Sequence, residues 1–174
     1  MSYEYFGFTD VHISAGNGRS ITKSRYPDKQ SGLQAVSYWK NKTGPGRCWV
    51  IALGTNDAAS VRKEKQQERI GQMVTAIGPE PAVWVNVSMH STTRRSYNRS
   101  RANEWNSLLV DEKVIVLDWD SIATNNKQWF AVDGIHYTPM GGEKRAFIIA
   151  HGVKNIFSSR LTEQNNNDNT TGEK

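Results

Sequence analysis

The sequence predicts an α/β protein built on a parallel sheet with helices on both faces. Two observations carry that prediction. Three short apolar runs rich in β-branched and aromatic residues are separated by longer, more polar segments with helical spacing. The runs are also apolar almost throughout rather than alternating, as strands covered on both faces are.

The strands are expected at Cys48 to Gly54, Ala82 to Val87 and Val114 to Trp119. A weaker one is read at Asp10 to Ser14. Helices are expected at Ser60 to Ile77, Arg94 to Val110 and Pro139 to Phe157. Thr138 is suited to cap the last of these, with Pro139 as its first residue. Cys48 is the lone cysteine and reads as a small buried hydrophobe at the start of its strand. From 161 to 174 the chain is polar and lacks the apolar area to repay ordering, so a flexible tail is expected there.

A length of 174 residues fits one domain, and 37% hydrophobic with 22% charged residues is ordinary globular composition. No run approaches the roughly 18 apolar residues of a membrane helix, and the start of the chain lacks a signal-peptide pattern. The chain therefore reads as soluble, with its compartment open. The net charge of +5 suits weak attraction to an anionic polymer without choosing one.

In open α/β sheets ligands sit beyond the carboxyl ends of the strands, so residues just after each run are the first suspects. Gly54-Thr55-Asn56-Asp57 follows the first run. Its glycine permits a sharp turn, and the Asn56 amide can donate to an oxyanion. The plainer alternative is a turn that caps the next helix. Asp133-Gly134-Ile135-His136 is the second motif. A carboxylate three residues before a histidine can hold one imidazole nitrogen and leave the other free as a general base. A surface turn is the alternative here.

Together, in this order and eighty residues apart, the two motifs resemble the third and fourth blocks of the SGNH (GDSL-type) hydrolases. The style of Gly18-Arg19, Gly54-Thr55-Asn56, Leu117-Asp118-Trp119 and Asp133-Gly134-Ile135-His136 is similar to SGNH domains linked to bacterial cell-wall O-acetyltransferases. The likeness runs from Asp10 to Phe157 and so makes 1–160 an SGNH hydrolase-like domain. It implies a three-layer, flavodoxin-like fold and a serine-type esterase or acyl-transfer enzyme without a cofactor. The implied substrate is a small-molecule or carbohydrate ester, an O-acetyl carbohydrate being one candidate. It also implies roles: Asp133 orients His136, His136 activates a serine, and the Gly18 N–H with the Asn56 amide forms the oxyanion hole. Gly16 is the alternative to Gly18.

One block is missing. No Gly-Asp-Ser occurs in the 174 residues, and 17 residues precede Gly18 where the family places a strand, the serine and a helix. Gly7-Phe8-Thr9-Asp10 offers a threonine without the helix, and Ser14 and Ser20 stand too close to the second block. The nucleophile is therefore unassigned. A chain that starts late is the expectation and true loss of the first block the alternative; either another segment such as Glu4 to Phe8 fills the gap in the sheet, or the isolated chain is unstable. The rival is a noncatalytic SGNH-like binding module or inactive fragment.

A third reading, a nucleic-acid-associated protein, rests on Arg94, Arg95, Arg99 and Arg101, which also suit a solvated helix face. No RNA-binding or helix-turn-helix signature is present, so nucleic acid is not the expected partner. His90 lies in the same loop and could line a pocket. His12, His90, His136 and His151 lack metal-ligand spacing, so no metal is expected.

Overall fold

The computed structural model describes residues 7–8, 10–45, 47–112 and 114–171. Thr9 and most of the Glu4–Phe8 stretch fall outside them. The elements follow in the order α1 (Gly32–Thr43), β1 (Trp49–Ile51), α2 (Thr55–Ser60), α3 (Lys63–Ile77), β2 (Ala82–Val85), α4 (Arg99–Asp111), β3 (Ile115–Leu117), α5 (Trp119–Thr124), a 3-10 turn at Lys127–Trp129, and α6 (Pro139–Thr171). The strands form a parallel sheet in the order β1-β2-β3, with Ile51 beside Trp84 and Val85 beside Leu117.

Successive strands step across the sheet in one direction. A constant crossover hand therefore puts the connecting helices α3 and α4 on the same face. Alternation along β2 divides the core accordingly. Trp84 points into a cluster with Ile70, Met73, Trp105 and Leu108, which α1 joins through Val36. Val83 and Val85 point the other way, toward Trp119, Trp129, Phe130 and Val153 of the C-terminal segment. Helices on both faces of a parallel sheet make the three-layer α/β architecture that the sequence predicts.

Local chemistry accounts for the elements. Ser31 and Gln34 form a reciprocal capping box that starts α1. The buried stripe of α3, Gln66, Ile70, Met73 and Ile77, lies on one helical face. Asn98 caps α4 by accepting from the Arg101 N–H at 3.0 Å. Thr138 Oγ1 accepts from the Gly141 N–H at 3.2 Å at the start of α6.

Four details depart from the sequence reading. Asp10 to Ser14 forms no strand, and its residues are exposed. Cys48 is also exposed. It precedes the first paired residue of β1 at the sheet margin, where no layer covers it; Val50, two residues on, is 41% exposed for the same reason. α1 is an additional helix, and its Ser31-x-x-Gln34 box was legible. α6 continues to Thr171, through the polar stretch set apart as a tail. Among the described residues no helix is long and apolar enough to cross a membrane.

Candidate active site

Asp133-Gly134-Ile135-His136 forms a tight turn between the 3-10 turn and α6. Asp133 Oδ1 accepts from the N–H groups of Ile135 and His136, each at 3.0 Å, which turns the chain back on itself. The other carboxylate oxygen, Oδ2, lies 2.6 Å from His136 Nδ1. Partial desolvation pushes the Asp133 carboxyl up. The His136 ring and the two backbone donors outweigh it and hold the group at about 2. The carboxylate is thus ionised throughout the ordinary pH range and fixes Nδ1 of the ring as the donor. Among the described residues Nε2 forms no hydrogen bond, and the His136 side chain is 72% exposed.

Gly134 makes this turn feasible. Its φ is +67°, and a Cβ there would lie 2.6 Å from the His90 carbonyl carbon and 2.7 Å from its oxygen. The closeness reflects a bond, since the His90 N–H donates to the Gly134 carbonyl at 2.8 Å. The loop after β2 and the turn before α6 are tied together there.

The other motif is built at the end of β1. Gly54 takes φ +138°, and a Cβ would fall 2.4 Å from Trp105 Nε1, so only glycine lets β1 turn directly into α2. Asn56 and Asp57 then occupy the first turn of α2 and face the 18–21 segment. Asn56 Nδ2 donates to the Arg19 carbonyl at 3.0 Å. Asp57, fully buried, accepts from the Ile21 N–H at 3.1 Å and from Arg69 at 2.7 Å. Burial raises the Asp57 carboxyl's pKa, and Arg69 and the Ile21 N–H offset only part of the rise.

Gly18 lies in the turn so clamped. Its φ of +65° and the 2.6 Å that would separate a Cβ from Arg25 Cβ require glycine. Gly16 meets neither constraint so sharply, because its Cβ would touch only the movable Arg19 guanidinium. Among the described residues the Gly18 N–H finds no acceptor.

Tyr97 was not singled out in the sequence, yet its hydroxyl donates to Asn56 Oδ1 at 3.2 Å. With Oδ1 committed as acceptor, the amide has one orientation, and its NH2 keeps a second hydrogen beyond the one given to Arg19. The Tyr97 carbonyl in turn accepts from the Ser91 N–H at 3.1 Å, next to His90. A hydrogen-bonded path thus runs from Arg19 through Asn56, Tyr97 and the 90–91 backbone to Gly134. It brings the three motifs into one connected assembly, although no direct contact joins Asn56 to His136.

Ser88 Oγ lies 2.8 Å from His90 Nε2. This looks like a nucleophile and base, but Ser88 is only 2% exposed, and burial lowers the His90 pKa, with Arg99 and Lys127 adding to the effect against Asp120. A buried hydroxyl beside an uncharged ring serves as a structural tie. Ser14 Oγ accepts from Arg19, and Ser20 is buried. Neither forms a hydrogen bond to His136. At the ends of β2 and β3, Asn86 bridges Asp118 and the Asp120 N–H at 2.8 and 2.7 Å. Asp120 also pairs with Arg99. The sequence reading did not join these residues into a network, though Asn86 and Asp118 each stand just after a strand.

No protein-family model matches the chain. It is 21% identical over 147 residues to a Bacillus subtilis (strain 168) protein named "Putative peptidoglycan O-acetyltransferase YrhL", covering 84% of this chain and 20% of that protein. The chain thus spans about a fifth of the length of that relative. Among solved structures it is similar to a lipase/acylhydrolase from Enterococcus faecalis, with TM-score 0.53, 21% identity, and 61% of this chain and 60% of that one covered. A Bacteroides fragilis protein described as a "putative acylhydrolase" gives TM-score 0.51, 16% identity and coverage of 76% and 72%. A peptidoglycan O-acetylesterase gives 0.50, 14%, 74% and 45%. These likenesses support the SGNH resemblance read from the motifs, and the fold they show for this chain is the three-layer α/β fold of the SGNH hydrolases.

Proposed function

We propose that this chain is an SGNH-type domain for ester hydrolysis or acyl transfer, acting on O-acetyl groups of a carbohydrate. The observation that carries this reading is the 2.6 Å Asp133–His136 bond with Nε2 turned to solvent. Asp133 holds the ring with Nδ1 protonated, so Nε2 is the site that takes a proton from an attacking hydroxyl. As that hydroxyl adds to the acetyl carbonyl, negative charge appears on the carbonyl oxygen. The Gly18 N–H and the second hydrogen of the Asn56 amide are the donors for it. His136 then returns its proton to the departing alkoxide. Acetyl leaves to water in a hydrolase or to an acceptor hydroxyl in a transferase. The names of the relatives, acylhydrolase, O-acetylesterase and O-acetyltransferase, support the same chemistry.

A noncatalytic module is the second reading. It is favoured by the lack of any Gly-Asp-Ser run in the 174 residues. Fluorophosphonate labelling followed by mass spectrometry separates the two. Catalysis requires stoichiometric labelling of one hydroxyl, and loss of both labelling and acetyl-ester turnover in His136→Ala. Label on Thr9, Ser14 or Ser20 would identify a nucleophile within this sequence. Absence of label and turnover from the protein would establish the binding module instead. Turnover that persists undiminished in His136→Ala would remove the histidine from the mechanism.

A further inference from the structure

Beside the Asp133–His136 turn lies a cleft of about 500 Å³ between the 90–99 loop and the 127–134 segment. We propose that this cleft is the subsite for a sugar unit bearing a carboxylate, held through Lys127. The proposal rests on the carbohydrate ester reading above and names the class of sugar.

Charge in the lining favours an anion, and a singly charged one. Among the described residues Arg99 and Lys127 are its two fixed cations, and no carboxylate lines it. Arg99 is already paired with Asp120, which stands behind the wall. Lys127 forms no ion pair among the described residues. One uncompensated positive charge suits a carboxylate better than a phosphate dianion.

The rest of the lining suits a sugar ring. Phe130 and Val132 give apolar surface, and Val132 is fully exposed. The Thr92 hydroxyl is unengaged among the described residues, whereas Ser91 and Asn98 are used within the loop and the α4 cap. The volume falls in the range of small-ligand pockets and holds one or two rings. Gly134 belongs to the lining, whereas Asp133 and His136 do not, so an occupant lies against the turn that carries the proposed base.

The test is calorimetric titration of the full chain with methyl glucuronoside and with methyl glucoside at low salt. A charge-assisted contact should make the glucuronoside bind about tenfold more tightly. Lys127→Met should abolish that preference and leave glucoside binding as it was. Equal binding of the two sugars, no binding of either, or a preference that survives Lys127→Met would overturn the proposal. So would inorganic phosphate displacing the glucuronoside at similar concentration, since that marks an anion site blind to sugar. Aryl acetate hydrolysis by the same preparation separates the two readings. Turnover without a glucuronoside preference sinks the subsite alone, and the preference without turnover sustains the subsite and sinks the esterase.

Discussion

Asp133 uses both carboxylate oxygens, one to shape the turn through two N–H donors and one to hold His136. Asp133→Ala should therefore release the Nδ1 tautomer, and nitrogen chemical shifts of the His136 ring in labelled protein will show a mixture where the parent shows one form. The effect on stability has a definite sign. A carboxyl held at about 2 in the folded protein, below its ordinary value near 3.9, contributes stability that is fully present above about pH 4 and lost as pH falls toward 2. Urea midpoints of the parent and Asp133→Asn should converge over that window and stay apart above it. At the proposed oxyanion donor, Asn56→Ala in the active protein should lower kcat by on the order of a hundredfold with KM little changed. Tyr97→Phe frees the amide to reorient without removing it, so a fall of about fivefold to tenfold is expected. A Tyr97→Phe protein with full kcat would show that the hydroxyl does not position the amide. Asn56 and His136 were legible because their motifs are local in sequence. Tyr97 was not, because its bond to Asn56 spans 41 residues and no local pattern announces it.

The elements that hold the site are short, and their junctions carry the strain. Gly134→Ala places a methyl against the His90 backbone, which cannot swing aside as a side chain would, and forces alanine to φ +67°. A loss of about 2 kcal/mol or more in urea unfolding is expected, with a disturbed Asp133–His136 turn. Across the sheet, α2 is pinned to the 18–21 segment and α3 through Asp57, whose buried charge has Arg69 as its ionic partner. Arg69→Met should cost about 3 kcal/mol, because it strands a buried carboxylate rather than because the pair itself is strong. A change below about 1 kcal/mol would show that Asp57 is neutral in the fold. At this scale the sequence located β1, β2 and β3 and the stripes of α3 and α4. It overran their ends: Leu53 packs beside Gly32 of α1, Val87 is hydrogen-bonded to Asn106 of α4 rather than paired in the sheet, and Trp119 opens α5. α2 was missed: Thr55–Ser60 is helical where the sequence reading placed a turn, and the helix expected from Ser60 begins at Lys63.

For the whole molecule, the net charge of +5 predicts weak, nonspecific attraction to duplex DNA that disappears by about 0.2 M salt. Electrophoretic shifts persisting above that would revive the nucleic-acid reading. Arg99 is spent on Asp120 and Arg101 on Glu104, so the arginine cluster is partly neutralised within its own neighbourhood. The sequence by itself determined the α/β class, the parallel order of apolar runs and the two motifs, because periodicity, turn chemistry and i to i+3 spacing are local properties that survive without coordinates. Only the tertiary structure decided that Gly18 rather than Gly16 needs the left-handed backbone and which orientation the Asn56 amide takes. It also brought Lys127, the 90–99 loop and Gly134 of the Asp133–His136 turn around one cleft. Each of these depends on which distant backbone or side chain arrives within a few ångströms, and that is fixed by packing across the sheet rather than by neighbours along the chain.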